Sequence, residues 1–248
     1  MKEFRTLLLI ILLLFTSFSL CSCTDNEIDQ DESGSIESED SYPTYSSGGA
    51  NIENIITYFN EVCLDAEFVN SGDASYVQKW CDPIKYFIHG NYSDTDLQTL
   101  QNFASWLNTI EGFPGLYPVD NSEDANLQIY FTDYQEMLNM AGENAKDCDG
   151  FTTFWWNEYN EIYQAEIFYR TDISQTTRNS VILEEIYNTL GPLQDTSLRP
   201  DSIIYSGFST TQILTPMDEL IIKLLYHPQI TCGMNAPACE TIIKEYCH

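Results

Sequence analysis

From residue 51 to residue 246, segments of helical apolar spacing alternate with strand-like segments, and this alternation constrains the fold more than any other feature. Apolar residues three or four positions apart predict amphipathic helices, whereas short runs of β-branched and aromatic residues between turn residues predict strands. The predicted helices cover residues 51–64, 94–110, 135–140, 176–190, 215–226 and 238–246. The predicted strands cover residues 84–88, 127–131, 151–156 and 162–169. We therefore expect an α/β or α+β domain, with a small mixed sheet packed against several helices.

The amino terminus has the three-part layout of an export signal. Lys2 and Arg5 precede an unbroken apolar run from Leu7 to Phe15, and small and polar residues follow. The sequence Leu-Cys-Ser-Cys that ends at Cys23 resembles a bacterial lipobox. This resemblance predicts that residues 1–22 are a lipoprotein signal peptide and that Cys23 carries the lipid. An uncleaved signal anchor is the alternative, but the apolar stretch is shorter than the roughly 20 residues that a spanning helix needs.

Residues 23–50 are the expected link between the lipid and the domain. The stretch after Cys23 contains eight acidic residues and no Lys or Arg. It cannot bury enough apolar surface to offset its ordering entropy, so we expect a flexible, disordered tether. Acid after a lipidated Cys resembles the surface-export signals of Bacteroidetes-type lipoproteins, with a plain spacer as the alternative. The expected location is therefore the outer membrane, contacted through the N-terminal lipid, on its periplasmic or cell-surface side.

Acidic residues outnumber basic residues along the whole chain. The 248 residues include 38 Asp and Glu against 10 Lys and Arg, which gives a formal net charge of −28. The expected domain, residues 51–248, holds 29 acidic and eight basic residues. Such a field repels phosphate backbones, which excludes nucleic acid as a partner, and it favours cationic partners.

Six cysteines lie in the expected domain: Cys63, Cys81, Cys148, Cys232, Cys239 and Cys247. In an exported protein this even number predicts up to three disulfides, and spacing alone does not choose among the fifteen pairings. We favour a bond between Cys63 and Cys81, because both flank the first passage from helix to strand. The alternative is a zinc site that would use Cys232, Cys239, Cys247 and His248. The oxidising compartment and the lack of a C-x-x-C pair disfavour it.

The predicted helix before Gly191 carries the sharpest hypothesis about chemistry. Residues four apart share a helical face, so Glu184 and Asn188 point the same way, with Glu185 beside them. This is the geometry of the H-E-x-x-H zinc motif, in which two His bind the metal and Glu is the general base. Glu184 and Asn188 stand at the two His positions, whereas Glu185 keeps the type of the base. Gly191 keeps the spacing of the glycine in the longer metzincin motif.

Two interpretations concern Glu185 itself. The first makes it a partly buried carboxylate that pairs with Arg170 or Arg178 and braces the helix against the sheet. The second makes it a catalytic general base. We favour the structural interpretation, because both metal-binding His positions are replaced.

A third interpretation makes Glu184, Asn188 and Asp195 an oxygen-ligand metal site. Oxygen ligands suit calcium or magnesium better than zinc. Zinc is further disfavoured because the three His residues of the domain do not stand at ligand spacing from the Glu pair. We therefore expect no cofactor, with a divalent metal as the alternative.

Four aromatic residues stand close together in one predicted strand. Aromatic side chains supply much contact area at binding sites, so these four are candidates to line a peptide or glycan groove. Core packing is their usual role in a strand, and we favour it. The four residues are Phe151, Phe154, Trp155 and Trp156.

A set of short sequences in fixed order resembles DUF2927, a family of bacterial secreted proteins of unknown function. The matching runs are residues 66–68, 79–84, 112–115, 150–151, 171–173, 178–191, 201–203, 225–228 and 233–234, together with Asp195 and Asp218. The family looks like a zincin relative whose helix carries a Glu-Glu-x-x-Gln-like sequence in place of the zinc motif. The resemblance covers nearly all of the domain. It implies a zincin-like fold with a shared Glu, and no demonstrated activity.

Two functions from different classes follow. The first is a lipid-anchored, catalytically degenerate domain that binds a peptide, glycan or protein at the cell envelope. The alternative is a metallopeptidase-like hydrolase that uses Glu185 as its general base. The loss of both His ligands favours the first.

Overall fold

The computed structural model describes residues 42–64, 76–192 and 194–248. The predicted mixture of helices and strands is confirmed, because these residues form six helices and a mostly parallel sheet of six strands. The expected signal peptide, the lipidated Cys23 and the tether as far as residue 41 lie outside the described residues. The zincin-like character of the fold stays a prediction.

The sheet joins strands that are far apart in the sequence. Its order is β1-β6-β4-β2-β3, with all these neighbours parallel, and β5 pairs antiparallel with β6. Ile129 and Ile167 face each other across β4 and β6 and are almost completely buried. The strands are β1 (Lys79–Trp80), β2 (Ile84–Gly90), β3 (Leu116–Pro118), β4 (Leu127–Thr132), β5 (Gly150–Trp156) and β6 (Glu161–Arg170).

The helices lie close to the predicted positions, and side-chain caps fix where most of them begin. They are α1 (Ile52–Leu64), α2 (Asp94–Leu107), α3 (Tyr134–Ala141), α4 (Gln175–Thr189), α5 (Pro216–Leu225) and α6 (Ala236–Tyr246). Ser93 starts α2 by accepting a hydrogen bond from the backbone of Asp96. Helix α2 ends three residues earlier than predicted, because the side chain of Asn108 bonds both backbone groups of Leu116 and turns the chain into β3.

A buried ion pair joins α2 to α4. The guanidinium Nε of Arg178 donates to Oδ1 of Asp96 at 2.8 Å, and the Asp96 side chain has no exposed surface. Burial acts to raise the pKa of Asp96, but hydrogen bonds from Arg178, Ser93 and Gln175 outweigh it, so the pKa lies below its usual value. This pair therefore fixes the start of α4 against α2.

The segment before α1 belongs to the ordered domain. Its Tyr45 donates to the backbone carbonyl of Tyr246 at 2.7 Å and accepts from the backbone of His248 at 2.9 Å. Ser47 donates to the carbonyl of His248 at 2.6 Å. The domain thus includes residues 42–50, which the sequence analysis assigned to the tether, because their backbone pairs with the C-terminal residues.

None of the helices in the described residues is both long enough and apolar enough to cross a membrane.

Candidate functional site

A cavity of about 570 Å³ lies between β5 and α4. Strand β5 contributes most of its residues to the lining, and α4 contributes the face that carries Glu184 and Asn188. The remaining walls are the loop before β5, Asp195, and residues 205–209. We call this cavity the acidic cleft, because Asp147, Asp149, Glu184, Glu185 and Asp195 line it and no Lys or Arg of the described residues does.

The three residues predicted as oxygen ligands all line the acidic cleft. Glu184 and Asn188 lie one turn apart on α4, as the helical spacing predicted. The Asn188 side chain donates from Nδ2 to Oδ1 of Asp195 at 3.2 Å. The other amide atom of Asn188, Oδ1, is buried and has no hydrogen-bond partner in the described part of the chain. In that part, no group of three or more His, Cys, Asp or Glu side chains is arranged to hold a metal ion.

Glu184 is held in its neutral form by its surroundings. Burial raises its pKa to about 9, and the negative charges of Glu185, Asp195 and Asp149 act in the same direction. Within the described residues its carboxyl group has no hydrogen bond and no ion pair to offset this burial. The cleft therefore holds a proton at neutral pH that a bound cation would displace.

Glu185 lies deeper, at the contact between α4 and β5. Its side chain is 9% exposed, and its Oε2 accepts a hydrogen bond of 2.7 Å from the hydroxyl of Thr152. The same hydroxyl lies 3.3 Å from the Glu185 backbone carbonyl. Gly150 makes the close approach of the strand possible, since a Cβ there would lie 2.3 Å from Val181 and 2.9 Å from Glu185.

The predicted pairing of Glu185 with Arg170 or Arg178 is not the arrangement that the structure shows. Arg178 forms its ion pair with Asp96, whereas Arg170 pairs with Asp149 at 3.0 Å and with Asp172 at 3.0 Å. Arg178 therefore braces α4 against α2 through Asp96, whereas Glu185 contacts the sheet through Thr152 of β5.

The aromatic residues of β5 divide between the cleft and the solvent. Phe151, Phe154 and Trp156 are partly buried, line the acidic cleft and also pack against the apolar clusters of the domain. Trp155 does not line the cleft and is 37% exposed. The groove and core interpretations thus both describe the first three residues, and neither describes Trp155.

Several lining residues were not candidates in the sequence analysis. Thr152, Asp149 and the loop 205–209 reach the cleft only through the fold. The one sequence signal was Gly150 at the start of a strand, since glycine in a strand often marks a close backbone approach.

The six cysteines fall into different environments. Cys148 lines the acidic cleft, whereas Cys63, Cys239 and Cys247 are buried in the core. The sulfurs of Cys81 and Cys232 lie 3.2 Å apart. The expected partner of Cys81 was Cys63, and this pairing stays a prediction. Cys81 lies beside Cys232 because β1 runs beside the segment before α6.

The expected zinc alternative needs Cys232, Cys239, Cys247 and His248 to meet. The described residues contain no such metal-binding group. Cys239 and Cys247 are instead part of the apolar core.

Comparison with known proteins gives one match. A family model described as "Protein of unknown function (DUF2927)" matches residues 52–245. This range includes the whole sheet and all six helices, apart from the last residue of α6. No curated protein matches the chain.

Proposed function

Because the chain belongs to the DUF2927 family, whose function is unknown, we propose its function from the cleft itself: the domain binds an extended cationic peptide segment without hydrolysing it. The observation that carries the proposal is an edge strand, β5, that lines a cleft whose ionisable carboxyl groups have no Lys or Arg beside them in the lining that the described residues form.

The free edge of β5 supplies the backbone half of the recognition. Among the described strands, β5 pairs with β6 alone, and no residue of β6 lines the cleft. An unpaired strand edge offers backbone N–H and C=O groups on which an extended peptide forms a further strand. Phe151, Phe154 and Trp156 supply apolar contact surface along the same strand.

The carboxyl groups of the cleft supply the electrostatic part of the recognition. Five acidic side chains line it. Glu184 is neutral at neutral pH, and Arg170 pairs with Asp149. Charge of one sign in a cleft attracts a ligand of the opposite sign and increases its association rate. A segment that carries Lys or Arg therefore fits this cleft better than a neutral or acidic one.

The residues at the two His positions of the H-E-x-x-H motif do not favour hydrolysis. The α4 face presents Glu184 and Asn188 where the zinc motif has two His, and Asn188 already donates to Asp195. The carboxyl group of Glu185 accepts a hydrogen bond from Thr152. We therefore propose no resident cofactor, and we keep the hydrolase with Glu185 as base as the alternative.

Location is part of the same proposal and rests on the sequence. A lipid on Cys23 and an acidic linker would anchor the domain at the bacterial outer membrane, on its periplasmic or surface side. There its partner would be a peptide or protein of the envelope, with a glycan as the alternative, and not nucleic acid.

A binding measurement tests the proposal directly. Fluorescence anisotropy of a short labelled peptide of alternating Lys and Thr, compared with its Glu and Thr counterpart, reports whether charge decides binding. We expect the Lys peptide to bind and the Glu peptide not to bind. Equal binding of both peptides, or of neither, would contradict the proposal.

Charge reversal tests whether the peptide binds in the acidic cleft. Glu184→Lys should weaken binding of the Lys peptide about tenfold or more, which corresponds to ~1.4 kcal/mol. Glu158→Lys is the matched control, because Glu158 is exposed in the turn between β5 and β6 and lies outside the cleft. Equal weakening by both variants would show a general charge effect instead of a site.

The hydrolase alternative is separated by the fate of the peptide. Mass spectrometry after long incubation with the purified protein, with and without added zinc, should return the peptide intact. Cleavage that is lost in Glu185→Gln, together with about one equivalent of bound metal, would establish the hydrolase and overturn the non-catalytic proposal.

A further inference from the structure

A second cavity, of about 690 Å³, shares no lining residue with the acidic cleft. Its walls come from β1, from the turn around Gly112 and Pro114, from the start of β6, and from the segment between α5 and α6. Cys81 and Cys232 both line it. We call it the cysteine cavity.

Backbone pairing brings the two cysteines together. Val77 donates to the carbonyl of Met234 at 2.8 Å, and Gly233 donates to the carbonyl of Val77 at 2.9 Å. Lys79 extends this contact, because its buried Nζ donates to the carbonyls of Leu225, at 2.8 Å, and of Ile230, at 2.5 Å. The segment that carries Cys232 is therefore fixed beside β1 before any covalent bond forms.

The two sulfurs are positioned for a bond and are accessible. Cys81 is exposed, Cys232 is partly buried, and their Sγ atoms lie 3.2 Å apart. Cys232 also contacts the backbone carbonyl of Lys79 at 3.6 Å. A disulfide needs the sulfurs about 2.05 Å apart, so small side-chain rotations of about 1 Å would close the gap.

We infer that Cys81 and Cys232 form a solvent-accessible disulfide that closes and opens by thiol–disulfide exchange while the domain stays folded. In closure, a small-molecule disulfide such as oxidised glutathione accepts two electrons and two protons from the two thiols. The Cys81–Cys232 bond forms, and the oxidant's S–S bond breaks to give two thiols. In opening, a dithiol reductant returns the two electrons and protons and becomes a disulfide itself.

The two thiols have different roles in this exchange. The hydrogen bond from Cys81, together with the backbone contact and the charge of Lys79, lowers the pKa of Cys232 to about 7, whereas the pKa of Cys81 is raised. A thiol of lower pKa leaves faster, so an external thiolate attacks the exposed sulfur of Cys81 and releases Cys232.

The core cysteines provide the contrast. Cys63 is completely buried, and burial raises its pKa well above the usual value. Burial likewise raises the pKa of Cys239, to about 11, and the pKa of Cys247. Buried thiols of high pKa react slowly with external disulfides.

Peptide mapping tests the bond. The full chain is treated with oxidised glutathione, blocked with N-ethylmaleimide and digested with trypsin, which releases residues 80–85 with Cys81 and residues 224–244 with Cys232 and Cys239. Cyanogen bromide cleavage after Met234 then separates Cys232 from Cys239. We expect the Cys81 peptide joined to the Cys232 fragment. A link from Cys81 to any other cysteine, or two blocked free thiols, would overturn the inference.

Native reduction tests whether the bond opens in the folded state. Dithiothreitol without denaturant should open the Cys81–Cys232 bond while circular dichroism stays unchanged. A bond that opens only after unfolding would overturn the exchange part of the inference.

Alkylation of the variants tests the assigned roles. In Cys81→Ser the Cys232 thiol should still be alkylated by iodoacetamide in the folded protein, and Cys63 should not. Cys148→Ser is the matched control, since Cys148 lines the other cavity and its loss should leave the Cys81–Cys232 bond intact. Protection of Cys232 in folded Cys81→Ser would contradict its assigned accessibility.

Discussion

The hydroxyl of Thr152 donates to Oε2 of Glu185 at 2.7 Å and so ties β5 to α4 in the wall of the acidic cleft. Glu185 is 9% exposed, and a hydrogen bond to a buried carboxylate contributes more than one between neutral groups. The contact therefore positions the edge strand relative to the helix face that carries Glu184.

Removing the Thr152 hydroxyl should destabilise the domain. Thr152→Val keeps the shape of the side chain and leaves Oε2 without this donor, which should lower the free energy of unfolding by about 1–3 kcal/mol. Thr152→Ser retains the hydroxyl and should restore most of the loss. Urea unfolding of the three proteins measures the difference. If Ser and Val have equal effects, the hydrogen bond is not the cause.

Gly150 should tolerate no side chain while Val181 keeps its size. A Cβ at position 150 would lie 2.3 Å from Cγ1 of Val181 and 2.9 Å from Cγ of Glu185, so Gly150→Ala should cost about 1–3 kcal/mol. Part of the clash should disappear in Gly150→Ala/Val181→Ala. A double-mutant cycle on unfolding free energies should therefore give less than additive destabilisation, whereas full additivity would show that the clash is relieved elsewhere.

The buried Asp96–Arg178 pair should be worth much more than an exposed pair of the same chemistry. Asp96→Ala leaves the Arg178 guanidinium buried without its carboxylate, and the expected loss is about 3–5 kcal/mol. The matched control is Asp201→Ala, because Asp201 is 61% exposed in its pair with Arg199, and this pair should contribute under ~1 kcal/mol. Thermal unfolding of both variants distinguishes these cases, and similar losses would refute the assigned difference.

Sequence periodicity predicted most of the fold because the long elements have strong patterns. Helix α4 and strand β6 were placed to within one residue at each end, since apolar spacing over ten or more residues is hard to mistake. Strands β1 and β3 have two and three residues, which is too short for any period to show. The segment around Tyr45 was assigned to the tether because composition does not report backbone pairing with a distant C-terminus.

The part of the site on α4 could be predicted from local spacing, whereas its contacts with residues distant in sequence could not. Glu184 and Asn188 are four residues apart, so a local rule sufficed to place them on one face. Thr152 and Glu185 are separated by 33 residues, and Cys81 and Cys232 by 151, so only the packing of β5 and β1 brings these pairs together. The predicted Cys63–Cys81 pairing rested on closeness in sequence, whereas packing brings Cys81 beside Cys232.

Glu184 should make the folded domain less stable as the pH rises. Its pKa is about 9 in the folded state against 4.5 for an ordinary Glu, so the folded protein keeps a proton that the unfolded chain has lost. The stabilisation is complete below pH 4.5 and is lost as the pH rises to about 9, with a slope of at most about 1.4 kcal/mol per pH unit. Glu184→Gln should flatten the dependence of the melting temperature on pH between 5 and 9. The matched variant Glu158→Gln should leave the slope unchanged, and parallel slopes for wild type and Glu184→Gln would contradict the raised pKa.

The same proton should couple to ligand binding in the acidic cleft. A cationic peptide favours the ionised form of Glu184, so its binding should release a proton when the pH is well below 9, and its affinity should increase as the pH rises toward that value. The upper limit is a tenfold gain in affinity per pH unit, the effect of one released proton. Isothermal titration calorimetry of the Lys and Thr peptide in buffers of different ionisation enthalpy measures the release. Glu184→Gln should abolish both the release and the pH dependence, whereas Glu158→Gln should keep both. An affinity that is independent of pH in the wild type would place the peptide away from Glu184.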